Sequence, residues 1–80
     1  LVRPGKPPAQ APGLSAPEEQ ALRLYVKGYS TPEVGLQMNV QYETAKTYLR
    51  RVRAKYAKVG RPASKKADLI RRAQEDGLLD

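Results

Sequence analysis

Nine basic side chains fall between residues 41 and 66: Lys46, Arg50, Arg51, Arg53, Lys55, Lys58, Arg61, Lys65 and Lys66. Glu43 is the one acid in that stretch. The 80-residue chain has a formal net charge of +7, so about one third of it carries more than the whole excess. A single-sign cluster of this kind raises the local potential and favours an anionic partner, nucleic acid or lipid headgroups. Read blandly, the same run is a solvated helix face; one acid among nine bases is lopsided for that role. The chemistry on offer is binding chemistry. The chain has no His and no Cys, which removes imidazole acid–base catalysis, a thiolate nucleophile, disulfides and the nitrogen and sulfur metal ligands. Glu18, Glu19 and Glu33 fall at helix N-termini, where negative charge is favoured for structural reasons. No cluster of acid, base and nucleophile remains. The sequence predicts a chain that is not an enzyme and uses no metal and no cofactor.

The elements that must position these charges are short. Eighty residues allow one domain with a thin core and little room for a deep pocket. Residues 1–13 hold four of the seven prolines and two of the six glycines; Pro removes a backbone donor and disfavours helix before it, so this stretch reads as an extended linker preceding a domain at 14–80. The N-terminus is Pro-rich rather than apolar, unlike a signal peptide. No apolar run approaches the roughly 18–20 residues of a membrane span. The chain begins at Leu1 rather than Met, as a piece cut from a longer protein would.

The remainder reads as four helices and no strands. Ser15 with Glu18, and Ser30 with Glu33, form capping boxes with Pro17 and Pro32 in the first turns. The first helix carries Ala21, Leu22, Leu24, Tyr25 and Val26 and ends at Gly28. The second, at about 32–38, carries Val34, Leu36 and Met38 and stops at the Asn39-Val40 turn. The third spans about 42–58. The fourth takes Ser64 as its N-cap, turns Ala67, Leu69, Ile70 and Ala73 inward and stops at Gly77. At about 100° per residue, Ala45, Tyr48, Leu49, Val52 and Tyr56 of the third helix share an arc of about 100°. Glu43, Thr47, Arg50 and Ala54 fall opposite, flanked by Lys46 and Arg51, with Lys58 between Thr47 and Arg51. Such a narrow, polar, basic face can enter a DNA major groove, which is about 12 Å wide; an amphipathic surface helix would give a similar wheel. A short helix, a tight connection at Met38-Asn39-Val40-Gln41 and a long basic helix make a helix-turn-helix.

Residues 14–56, about half of the chain, resemble the LuxR/NarL-type DNA-binding domain. Leu14-Ser15-Ala16-Pro17-Glu18 stands where that family opens with Leu-Thr-Pro-x-Glu. Leu22, Leu24 and Gly28 follow the family's Val-Leu-x-Leu core and glycine. Ser30-Thr31-Pro32-Glu33-Val34-Gly35 is similar to its Ser-x-x-Glu-Ile-Ala, Met38-Asn39-Val40-Gln41 to its Leu-x-Ile-Ser, Thr44-Ala45-Lys46-Thr47-Tyr48 to its Thr-Val-Lys-x-His, and Val52-Arg53-Ala54-Lys55-Tyr56 to its Ile-x-x-Lys-Leu. The resemblance implies an all-α four-helix bundle containing a helix-turn-helix. It implies base reading by Lys46, Thr47 and Arg50, which the wheel independently sets on or beside the outer face. Arg51, Arg53, Lys55, Lys58 and Arg61 are then expected on the DNA backbone, with the Thr44 hydroxyl near a phosphate.

Departures from the pattern carry their own expectations. Gln41 replaces the usual Ser cap, a loss of roughly 1 kcal/mol at the helix start. Ala45 replaces Val. Tyr48 replaces His, with its ring either on the core or toward a phosphate. The Ala57–Ala63 stretch is longer than in the family; it either adds a turn to the third helix or forms a loop holding Arg61 against the DNA backbone. Leu69, Ile70 and Ala73 are either dimer contacts or part of this domain's own core.

These readings point to a cytoplasmic, bacterial transcription regulator that binds double-stranded DNA as a homodimer. The resemblance implies an upstream regulatory domain such as a receiver of a two-component system. The alternative is a protein-interaction module resembling region 4 of a sigma factor, its basic helix facing an acidic protein. A membrane-surface helix fits less well, because the outer face lacks Trp, Phe or Leu to insert.

Overall fold

The computed structural model describes residues 12–79, and these are all-helical. The four helices are α1 (Ala16–Val26), α2 (Thr31–Met38), α3 (Tyr42–Lys58) and α4 (Lys66–Glu75). The reading of residues 1–13 as a linker lies mostly outside the described residues. Its last two positions do not behave as one: Pro12 is buried, the Leu14 amide donates to the Pro12 carbonyl (2.9 Å), and the Gly13 carbonyl accepts from Lys55 Nζ (3.0 Å). The packed chain therefore starts at least two residues before the expected boundary.

Local sequence accounts for most helix ends. Ser15 and Ser30 each accept from the backbone amide three residues on, while Glu18 and Glu33 each accept from the backbone amide of the capping serine. Together these satisfy donors that the first turn leaves unpaired. Asn39 ends α2 in the left-handed region (φ 58°), a conformation that a short polar side chain tolerates. The cap of α3 is Gln41, and its side chain makes no capping hydrogen bond, as its type suggested. The start of α4 differs from expectation. Lys65, not Ser64, is the N-cap, and its amide donates to the Asp68 carboxylate (3.3 Å). An acid at the third helical position satisfies the N-cap amide, a different donor from the N2 or N3 amide that a serine cap serves.

α1 lies at the centre, packing on the other three helices, and α2 also packs on α3. Two apolar clusters result. Ala21, Val34, Ala45 and Leu49 join α1, α2 and the first half of α3. Leu22, Val26, Val52, Tyr56, Ala63, Leu69 and Ala73 join α1, α4 and the second half of α3. Tyr25 packs against both. Leu69 and Ala73 have no exposed surface, so of the two readings left open for them the own-core reading holds, and they do not form a dimer face in this fold. Ile70 is half-buried against the same cluster. One position expected inside is outside: Ala67 is exposed. Leu36, one of the apolar residues of α2, is 80% exposed. Leu36 sits two residues from both Val34 and Met38, which at 100° per residue turns it to the opposite face of α2.

Gly35 sets the distance between α2 and the turn that follows. Its carbonyl accepts from the Val40 amide (2.9 Å), and a Cβ there would stand 3.0 Å from the Val40 carbonyl oxygen. Gly35→Val, which drives two further methyl groups at this backbone, should therefore cost about 1–3 kcal/mol, read as a lower midpoint in urea. An unchanged midpoint would mean that the turn can move away at no cost.

Candidate nucleic-acid interface

The buried stripe of α3 fixes its orientation. Ala45, Leu49, Val52 and Tyr56 are fully or almost fully buried, and Tyr48 is half-buried with its ring on the core. A helix pinned along one side must present its other side to solvent. Lys46, Arg50, Arg51, Ala54 and Lys58 are accordingly exposed, and Thr44 and Thr47 are half-buried. The side chains of Arg50, Arg51 and Lys58 make no hydrogen bond or ion pair with any described residue. Lys46 has only the face of Tyr42, with Nζ 5.9 Å from the ring centroid, a contact worth about 0.5–1 kcal/mol at an exposed site. Tyr42 is itself 45% exposed. Four cations thus stand on one side of one helix with their charge uncommitted.

Two of the bases expected at the DNA backbone, Arg61 and Lys55, are held by carboxylates within the fold, and Arg53 is partly covered. Arg61 is the clearest case. Its side chain is only 7% exposed, and its guanidinium donates to Asp76 (2.8 and 3.2 Å) and Glu75 (2.8 Å) at the end of α4 while lying 5.3 Å from the Tyr56 ring centroid. The Tyr56 hydroxyl donates to the same Asp76 carboxylate (2.7 Å). The Ala57–Ala63 stretch therefore adds no helical turn beyond Lys58; from Val59 onward it is a loop, and it holds Arg61 inward. Burial raises the Tyr56 phenol well above its ordinary value, and its bond to anionic Asp76 adds to the shift. Arg61, chiefly through its bond to Asp76, is held charged, and in turn it lowers the Glu75 carboxyl.

Lys55 is the second base held within the fold. Its ammonium is paired with Glu18 of α1, whose side chain is 5% exposed, and also donates to the Gly13 carbonyl. Burial alone would raise the Glu18 carboxyl; the Lys55 ammonium and the Ser15 amide outweigh it and lower the group below 4.5. Lys55 thus ties α3 to α1 and to the chain entering it. Arg53 is intermediate. It is half-buried with its guanidinium 5.7 Å from the Tyr25 ring centroid, and its Nε is buried without a hydrogen-bond partner. Lys66 lies 4.3 Å from the same ring centroid and donates to the Tyr29 carbonyl (3.4 Å).

Sequence reasoning passed over the exposed apolar side chains at this end of the molecule, Leu36 and Tyr42. A wheel drawn for α2 would have found Leu36, because only Val34 and Met38 share a face there. Among the described residues there is no group of three or more Asp or Glu side chains able to hold a metal ion, and no helix is long and apolar enough to cross a membrane. No family model, curated protein or solved structure matches this chain.

The two kinds of base should respond differently to loss. Arg61→Ala leaves Asp76, itself 5% exposed, as a buried unpaired charge, and should cost about 3–5 kcal/mol. Arg50→Ala on the open face should stay within about 0.5 kcal/mol. Urea unfolding of both variants measures the contrast, and equal costs would remove the distinction between structural and open cations.

The Glu18 shift carries a sign. A carboxyl lowered in the folded state contributes stability above its unfolded value of about 4.5, and that contribution is lost as pH falls through the folded value. Glu18→Gln should therefore be less stable than the parent at pH 7, with the gap closing below pH 4. Melting curves between pH 3 and 7 test this, and a gap independent of pH would assign the loss to packing instead.

Proposed function

We propose that this chain is the sequence-specific, double-stranded DNA-binding domain of a bacterial transcription regulator, of the LuxR/NarL helix-turn-helix type. α2, the Asn39–Gln41 turn and α3 form the helix-turn-helix, and α3 enters the major groove. Lys46 and Arg50 donate to the guanine O6/N7 edge, and Thr47 meets a neighbouring base with its methyl or hydroxyl. Arg51 and Lys58 contact phosphates, Arg53 does so from the edge of the face, and the Thr44 hydroxyl lies where the helix N-terminus favours an anion. The observation that carries this reading is the uncommitted charge of α3. Lys46, Arg50, Arg51 and Lys58 are exposed with no acidic partner, whereas Lys55 and Arg61 are tied into the fold. Charges held solvated along one face of a pinned helix are disposed for phosphates and base edges rather than for stability.

The wider reading follows from the resemblance alone. The domain acts as a homodimer on two half-sites in the cytoplasm, attached to an upstream regulatory domain such as a receiver. With Leu69 and Ala73 inside the core, any dimer contact through α4 falls to Ile70 and to exposed residues such as Ala67 and Arg71. A second reading, a sigma-region-4-like module for an acidic protein partner, has one feature in its favour. The exposed side chain of Leu36 resembles a protein-contact residue more than a phosphate-contact one.

Gel retardation on random and selected duplexes at several salt concentrations tests the proposal. Wild-type protein should retard random duplex at low salt, with affinity falling steeply as salt rises. Arg50→Ala should lose roughly 1–3 kcal/mol on a selected site and relax base preference at one position. Arg51→Ala should weaken all duplexes alike and flatten the salt slope by about one unit. No retardation even at low salt would overturn the proposal and favour the protein partner.

A further inference from the structure

Glu43 is the acidic residue left over once the ion pairs and caps are assigned. Glu18 holds Lys55, Glu19 holds Arg23, and Glu33 caps α2. Asp68 accepts from the Lys65 amide, and Glu75 and Asp76 hold Arg61. Glu43 alone among the described acidic residues makes no hydrogen bond or ion pair. Its isolation is not for want of cations. Lys46 follows three residues later, at a spacing where an acid and a base on a helix commonly pair, yet its ammonium lies over Tyr42 instead. Glu43 is exposed in the first turn of α3, and by helical phase it falls on the same outward face as Thr47 and Arg50.

A carboxylate in that position is a liability on a face made only for phosphates, because like charge repels it from the DNA backbone. It is favourable where it can accept a hydrogen bond from a base edge. In the major groove the exocyclic N4 amine of cytosine is a donor that a carboxylate can accept from, whereas guanine O6 and N7 and thymine O4 are acceptors that a carboxylate cannot bond. We propose that Glu43 is a specificity-determining residue of the α3 face, accepting from cytosine N4 in duplex DNA and rejecting guanine and thymine at that position. This deepens the DNA-binding reading above and rests on it. Seven residues separate Glu43 from Arg50, about 10 Å of helix rise, or roughly three base-pair steps. The half-site should therefore carry a cytosine and a guanine contact about three base pairs apart.

The test is selection of bound duplexes from a random library with wild type, Glu43→Ala and Glu43→Gln, followed by titration of duplexes differing only at the assigned base pair. Wild type should enrich cytosine at one position and prefer it about tenfold over thymine. Glu43→Ala should lose that preference while keeping the guanine selected by Arg50, and should bind duplexes without the cytosine somewhat more tightly at low salt, but not the cytosine duplex. Glu43→Gln, which gains a donor beside its acceptor, should move the preference toward adenine. Preferences are ratios within one protein, so a change in stability leaves them intact. If Glu43→Ala keeps the wild-type consensus and only tightens binding uniformly, Glu43 serves the helix N-terminus alone and the proposal fails while DNA binding stands. If wild type binds no duplex at all, the DNA-binding reading fails and this proposal fails with it.

Discussion

The stripe of Ala45, Leu49, Val52 and Tyr56 along α3 sets what the rest of the molecule can be. Each large member is almost wholly buried, and burying an aliphatic side chain of this size is worth about 1.5–3 kcal/mol. In a domain this small, few other sources of that magnitude exist. Rotating α3 by even a quarter turn would expose the stripe and bury cations in its place. The outward face of α3 is therefore as firmly specified as the core, although none of its own side chains holds it there.

Around that stripe the basic residues divide into two populations. Lys55 and Arg61 lie where α3 and its exit loop meet α1 and α4, and each is answered by a carboxylate with little exposure. Both lie where the chain enters and leaves the bundle: Lys55 holds Glu18 and Gly13, Arg61 and Tyr56 hold Asp76, and Gly13, Tyr56 and Asp76 line one cavity. Lys46, Arg50, Arg51 and Lys58 lie on the side that no helix covers. The same residue types thus do two jobs, and position relative to the stripe decides which. A uniform count of nine bases hides this division. The charge available to a ligand is smaller and more concentrated than the total suggests.

The local features of this fold were legible in the sequence. Both serine capping boxes, the bounds of α3 and the burial of its stripe follow from interactions within three or four residues, which spacing encodes directly. The partners of the basic residues were not. Lys55 and Glu18 are 37 residues apart, and Arg61 and Asp76 are 15 apart, so nothing in the order of residues announces either pair. The loop after α3 was one of two readings left open, and what Arg61 binds there was hidden for the same reason, since its partners lie at the far end of α4. Ser64 was preferred as a cap by type, but the Asp68 carboxylate reaches the amide of Lys65. Ala67 was set inside, and the exposure of Leu36 passed over, because apolar residues were grouped without phasing them on the helix. At the open face, the periodicity that buried Ala45 and Val52 also placed Lys46, Arg50 and Arg51. Glu43 could be judged only once every other acid had found its partner.

The central claim is that a ligand meets this protein along the outer side of α3. Backbone amide chemical shifts, followed while a selected duplex is added to the isotopically labelled protein at low salt, locate that contact most directly. Perturbations should concentrate at Glu43, Lys46, Thr47, Arg50 and Arg51, fade as salt is raised, and leave Leu69 and Ala73 unmoved. Perturbations centred on Leu36 or on α4, or none at any salt concentration, would contradict the account.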